Sequence, residues 1–260
     1  MKKIINSHIA HLLIAILIVV VGWQIVGDLK VSFMIPPFTE VIKTLVSMLV
    51  SGKLTQNLIF SMKSLAEGFI LAVTTGSILG ILTGRYSLID ELTSIYIGAF
   101  MSSPMAAFIP ILILLFGLGR SSVVATVFMF SFFVMVVNAR TGVRNIDPNL
   151  TEMAKSFGAN ELKLLRYIII PGALPEIMTG VRLAIGRAVR GLVVGEMLIT
   201  LSGIGGMLET YGNSYNVNYL YAVVLAIMGI AILLTEGIHL LDTWLIGWRR
   251  NTGIGSRNHS

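Results

Sequence analysis

Residues 8–26, HIAHLLIAILIVVVGWQIV, contain no Asp, Glu, Lys or Arg over nineteen positions. A helix of about 18–20 apolar residues, rising about 1.5 Å each, crosses a hydrocarbon layer about 30 Å thick. Comparable runs recur along the chain at intervals too regular for one buried core helix. Only 12% of the residues are charged, against about 25% in soluble domains. The pattern therefore implies an all-α polytopic membrane protein with about six transmembrane helices, at about 9–27, 58–84, 93–118, 121–139, 176–200 and 219–246. The third and fourth are separated only by the turn GLGR.

The first run follows Lys2 and Lys3, as in a secretory signal, but it exceeds the apolar core of about 7 to 15 residues that a signal carries, and no small-residue cleavage pattern follows. It is expected to remain as a span. With Lys2 and Lys3 inside, eleven lysines and arginines of the connecting segments fall on the inner side and four on the outer, which places both termini in the cytoplasm. The expected organisation is an N-terminal span with an extracytoplasmic amphipathic connection over 1–57, a membrane domain over 58–246 and a cytoplasmic tail over 247–260. The outer connection at 202–218 is rich in glycine and asparagine. The chain has no cysteine, which removes disulfides, thiolate metal sites and thiol catalysis together.

One segment between spans carries charge that its neighbours lack: EMAKSFGANELKLLRYIIIPGALP, residues 152–175. Asn149 or Thr151 is expected to cap a helix with Glu152 in its first turn, and Gly158 to interrupt it. Asn160 and Glu161 then open a second helix, with Leu162, Leu165, Ile168 and Ile169 at helical spacing, which Pro171 is expected to end. Small residues at Ala154, Gly158 and Ala159 would let another backbone approach closely, with Glu152, Lys155 and Lys163 at the rim. On its residues alone this is either a docking knob or an interfacial helix whose charges snorkel to water.

The segment resembles the cytoplasmic coupling loop of ABC-type importer permeases, whose pattern runs E-A-A, three residues, G, nine residues, I-x-L-P. The matching positions are Glu152, Met153, Ala154, Gly158, Ile168, Ile170 and Pro171, with Met153 in place of an alanine and Ile170 in place of the leucine. The stretches AEGFILAVTTGSILGILTGR, SSPMAAFIPILILLFGLGRSS and GEMLITLSGIGGML are similar to the subgroup importing nitrate, sulfonates, taurine, bicarbonate and thiamine precursors, so the resemblance covers about 58–246. It implies a type I importer permease fold in a bacterial inner membrane, with a coupling loop at about 146–172. Glu152, Ala154, Lys155, Gly158, Ala159, Asn160 and Pro171 would be its coupling residues. The implied partners are a second copy in a homodimer or a paralogous permease, two cytoplasmic ATPase subunits, an extracytoplasmic substrate-binding protein and the lipid bilayer; nucleic acid is not expected. ATP and Mg would sit on the ATPase, and no cofactor on this chain. Consistent with that, no G-x-x-x-x-G-K-[ST] loop occurs, and GIGG at 203–206 has no lysine.

The fifth span contains Arg182, Arg187, Arg190 and Glu196. A central arginine costs about 2.5–3.5 kcal/mol on insertion scales, so these groups are expected to face protein or water. Arg187 and Arg190 lie about 17 and 21 Å beyond Glu176, near the midplane. In a two-fold dimer they would line a cavity able to grip a sulfonate, carboxylate or phosphate. The alternative is neutralisation inside the bundle by Glu67, Glu196 and Glu236, with Lys63 and Glu67 as a helical pair. A solute of vitamin-precursor type is the alternative to an anion. Pro104 and Pro110 are expected to break the third span near Met101, Met105 and Phe108, either lining the cavity or only shaping packing. Glu236 and His239 are expected to satisfy one another or nearby charges. No serine–histidine dyad, aspartate pair or metal-ligand cluster stands at matched depth, so intramembrane enzymes are not expected; a secondary transporter would not need the charged segment.

Overall fold

The structure is a computed structural model and describes residues 2–250, so the expectation for the tail rests largely on residues outside it. The described residues are helical, without strands: α1 (Lys2–Asp28), α2 (Phe38–Val50), α3 (Lys53–Arg85), α4 (Ser87–Ser102), α5 (Ile109–Phe116), α6 (Arg120–Arg144), α7 (Pro148–Ser156), α8 (Glu161–Leu164), α9 (Ile170–Ile199), α10 (Gly203–Asn213) and α11 (Val217–Arg250). The helices α3, α6, α9 with its lead-in, and α11 are each long and apolar enough to cross a membrane. The pair α4 and α5 makes a further candidate span, and α1 contains the shorter apolar helix Ile14–Asp28.

The bundle is organised by α6, which lies between α3 and α9. Its seam with α3 is made by small residues four apart: Gly68, Ala72, Gly76, Gly80 and Gly84 are all placed on it, and four of the five are buried. A Cβ on Gly68 would stand 2.6 Å from Val124 O, and one on Gly84 2.6 Å from Val143 Cβ. Such contacts let backbones approach where lipid supplies no hydrophobic drive between helices. The seam between α6 and α9 repeats the device: Gly180 meets Asn138, Gly191 meets Phe130 and Gly195 meets Thr126. Ser131 donates to Val127 O at 2.9 Å and to Ala184 O at 3.3 Å, so a buried hydroxyl is satisfied within that seam.

The expected third span is not one rod. The chain bends by 103° between Ser87–Ser102 and Met105–Phe116. The break falls at Ser103 and Pro104; Pro110 instead sits in the first turn of α5, where its missing N–H costs nothing. Phe100 closes the elbow, 5.3 Å from the Phe108 ring and stacked at 4.8 Å on Phe133 of α6. Nor is 202–218 a plain loop, because α10 occupies most of it. The expected amphipathic connection is α2, entered through Pro36 and Pro37. Trp23 Nε1 donates to Pro36 O at 2.9 Å, and the indole packs against Phe38 and Tyr221.

Chain direction puts α2, α10 and the GLGR turn at one end of the bundle. The segment α7–α8 and the helix end at Arg85 lie at the other.

Candidate functional site

The charged segment is built from two caps and one left-handed residue. Asp147, not Asn149 or Thr151, caps α7: its Oδ1 accepts from Asn149 N at 2.9 Å, with Pro148 in the first position. That start places Glu152 beyond the first turn. At the other end Gly158 has φ +79°, and a Cβ there would meet nothing within 4 Å, so the backbone alone requires glycine. Gly158 N–H donates to Lys155 O and Ala159 N–H to Ala154 O, each at 2.9 Å. This is the Schellman arrangement. Asn160 caps α8 as expected, accepting from Lys163 N at 3.0 Å.

The Schellman turn reverses the expected direction of Ala154 and Ala159, while Gly158 stays exposed. Ala154 and Ala159 pack inward against a small core of Val143, Leu164, Ile169 and Ala173. What the segment offers outward is large and apolar: Phe157 is 85% exposed and Leu162 73%, with Leu150 and Met153 beside them. Glu152 and Lys155 are exposed at the rim.

Pro171 does not end the second helix. The helical path is continuous from Glu161 to Ile199. A π-turn over Leu165–Ile169 widens the coil, and Ile170 N–H reaches Leu165 O. That widened turn relieves the clash a proline ring makes with the carbonyl four residues back. The segment is thus fused to α9. It is also clamped to α3: Arg85 Nε and Nη2 donate to the two carboxylate oxygens of Glu161 at 2.7 and 3.0 Å.

Within α9 the charged residues separate. Arg182 is paired with Asp242 of α11. Glu196 is fully buried but takes no arginine: its Oε2 accepts from Ser61 Oγ and Gly205 N, both at 2.9 Å. Glu67 is taken by Arg120 and not by Lys63, and Glu236 and His239 are not bonded to one another. Glu67, Glu196 and Glu236 therefore do not neutralise the arginines of α9. Among the described residues, Arg85, Arg120, Arg140, Arg144 and Arg182 each have a carboxylate. Arg187 and Arg190 have neither ion pair nor hydrogen bond among those residues.

Arg190 stands on the outward stripe of α9 with Thr179, Leu183 and Leu198, and Arg187, three residues before it, is half-buried. Gly186, on the same side, has open space at its missing Cβ. Arg190 lies nine residues from the end of α9, about 14 Å, or half of a hydrocarbon layer. Met101 and Met105 are half-buried and Pro104 exposed at the α4–α5 elbow. A separate cavity of about 500 Å³ between α3, α5 and α6 is lined by Glu67, Leu71, Thr75, Phe116 and Arg120, and none of its lining comes from α9.

Comparison with known proteins gives one consistent result. The model of the family described as binding-protein-dependent transport system inner membrane component matches residues 72–247. The SsuC permease protein of Bacillus subtilis (strain 168), assigned to aliphatic sulfonates transport, is 29% identical over 240 residues, 90% of this chain and 86% of that one. The taurine transport system permease protein TauC of Escherichia coli (strain K12) is 27% identical over 233 residues, covering 87% and 85%. A crystal structure of an amino acid ABC transporter with histidines is similar in fold, with a TM-score of 0.60 at 18% identity, over 77% of this chain and 96% of that one.

Proposed function

The chain belongs to the binding-protein-dependent transport system inner membrane component family and is the permease subunit of an ABC importer, and from that premise we propose that it carries a small organic anion of the sulfonate class past Arg187 and Arg190. The observation that carries the reading is the isolation of those two guanidinium groups halfway along a spanning helix whose other arginine is paired. An unpaired charge at that depth must meet water, protein or solute. A planar guanidinium fork suits an oxyanion, and two of them three residues apart on one helix offer a bidentate grip. The names of the sulfonate and taurine relatives support the same class of solute.

The outward stripe of α9 that carries Arg190 cannot be left against lipid, so a second copy of the chain completes the pathway across a two-fold axis. The exposed Leu150, Met153, Phe157 and Leu162 fit a groove on a cytoplasmic ATPase subunit, as an amphipathic helix lays its apolar anchors into a partner. ATP, with its Mg, is bound there and not on this chain. An extracytoplasmic binding protein delivers the solute at the α2 and α10 end, and both termini are cytoplasmic. Nucleotide-driven closure of the ATPases must then favour one orientation of the permease over the other, since a ligand without differential affinity shifts no equilibrium.

The test is ATP-driven uptake of a short alkyl sulfonate into proteoliposomes holding the permease, its ATPase and its binding protein. Arg187→Gln with Arg190→Gln is expected to reduce uptake at least about tenfold with assembly intact. Undiminished uptake by that variant removes both arginines from the pathway. Uphill uptake by the permease without any ATPase overturns the importer reading itself.

A further inference from the structure

The two ends of α3 are fastened to different elements. At the cytoplasmic end Arg85 grips Glu161 through both carboxylate oxygens, and Tyr86 Oη adds a donor to Glu161 Oε1 at 3.4 Å. At the outer end α3 and α9 together hold the start of α10. Gly203 N–H donates to Asn57 Oδ1, Ile204 N–H to Ser61 Oγ, and Gly205 N–H to Glu196 Oε2, each at 2.9 Å. Ser61 Oγ–H closes the set by donating to Glu196 Oε2 at 2.9 Å. The first N–H groups of a helix lack partners inside the helix, and here three are met by side chains from two spans.

That joint is tight. Ser61 and Glu196 are both fully buried, and Gly203 through Met207 are buried with them. Gly203 has φ +84°, and a Cβ there would overlap the Glu196 carboxylate. Gly205 is pressed against Val193 O and Glu196 Cβ in the same way. Separating α10 from the two spans would strand a buried carboxyl and three buried N–H groups, each costly to leave unpaired.

Between the two fastenings α3 is a continuous helix. Ser61 and Arg85 are 24 residues apart, or about 36 Å at 1.5 Å per residue. Along that length its glycines are pressed against carbonyls and Cβ atoms of α6, among them Val124 O, Met135 Cβ and Val143 Cβ, which leaves little slack for independent sliding.

We infer that α3 is a relay: the Arg85–Glu161 clamp couples the ATPase-facing segment to α3, and Glu196, Ser61 and Asn57 latch α10 to its far end. ATPase closure then displaces α10 at the extracytoplasmic mouth. Glu196 is a positioning residue that acts through α10 and does not touch solute. The inference rests on the permease reading above and adds to it the path by which one end of the bundle moves the other.

The experiment uses the assembled transporter in right-side-out vesicles. The native chain has no cysteine, so Asn213→Cys places one thiol at the exposed end of α10. Its rate of modification by a membrane-impermeant maleimide is measured with and without a non-hydrolysable ATP analogue inside. The rate is expected to change on nucleotide binding. Glu161→Gln and Glu196→Leu are each expected to shrink that change by about threefold to tenfold, and their combination no further, because both interrupt one path.

The charge-swapped pair Arg85→Glu with Glu161→Arg restores the response, and Glu196→Gln, which keeps an acceptor oxygen, retains most of it. Should Glu196→Leu not insert, Asn57→Ala, at a half-buried site, gives the same reading. An α10 response that survives Glu161→Gln intact, or two variants whose effects multiply, overturns the relay. So does a label with no nucleotide response in a transporter whose ATP-driven uptake is normal. Absence of ATP-driven uptake in the parent with its ATPase bound counts against the permease reading instead.

Discussion

Arg182 of α9 is ion-paired with Asp242 of α11, and that pairing divides the arginines of one span into two kinds. Asp242 and Arg182 are both partly shielded, so removing one partner leaves the other's charge uncompensated. Asp242→Asn is expected to lower stability by about 1–3 kcal/mol, discounted from a fully buried pair because Arg182 keeps some exposure. Arg187→Gln and Arg190→Gln are expected to leave the thermal transition unchanged. Thermal unfolding of the purified protein in detergent distinguishes them; equal losses for all three would contradict the division.

The docking face is expected to depend on its large residues. Phe157→Asp removes an exposed apolar anchor, and truncation of such an anchor typically costs about 2 kcal/mol or more, a loss of about thirtyfold in affinity. Co-purification of the ATPase subunit should fall accordingly. Glu152→Gln, at the rim, should change it little, since exposed charges contribute up to about 1 kcal/mol. A dependence on Glu152 exceeding that on Phe157 would show that charge and not apolar burial seats the segment.

The glycine seam predicts a sharp contrast between equivalent substitutions. A Cβ on Gly80 would meet Val136 O and Ala139 Cβ at 2.5 Å, whereas Gly229, on α11, has nothing within 4 Å. Gly80→Ala should destabilise by about 1–3 kcal/mol through overpacking. Gly229→Ala should be neutral or stabilising by up to about 1 kcal/mol, from helix propensity alone. Paired thermal scans check both.

Gly203→Ala should act through Glu196. The added methyl group competes with the carboxylate for space and also occupies a left-handed backbone position. Uptake is expected to fall several-fold, with α10 becoming open to protease at Leu201 and Ser202, which are exposed beside it. Limited proteolysis from the outer side reads this directly; a protease pattern unchanged from the parent would mean the joint tolerates the methyl group.

Of the six expected spans, the four over α3, α6, α9 and α11 were legible, because hydropathy sums over about twenty residues and tolerates local error. Gly158 and Asn160 were legible because a left-handed turn and a helix cap each need one residue type. The direction of Ala154 and Ala159 was not, since a small side chain serves equally for outward approach and inward packing. Only the Schellman turn, which sets both alanines against the same small core, decides it.

The helix α10 was illegible for a related reason. Four of its eleven residues, Gly203, Gly205, Gly206 and Gly212, are glycine, each about 1 kcal/mol less favourable than alanine in a helix. Its helicity is supported from outside by Asn57, Ser61 and Glu196, and one of those acceptors lies 146 residues away in sequence. Asp242 was likewise not identifiable as the partner of Arg182 because 60 residues separate them. Pro171 misled because a proline stop is a local rule, and the π-turn before it satisfies that rule without stopping the helix.

In the seam between α3 and α6 the glycines lie hard against carbonyls and apolar side chains such as Val127, Met135 and Val143, so it has no room in which a preference for one solute over another could be written. On the proposed route past Arg187 and Arg190, whatever discrimination this permease exercises is inscribed elsewhere, on the outward stripe of α9. On that route, retuning its cargo would be a matter of a few positions around Gly186 and Arg190, with the frame of the transporter left as it stands.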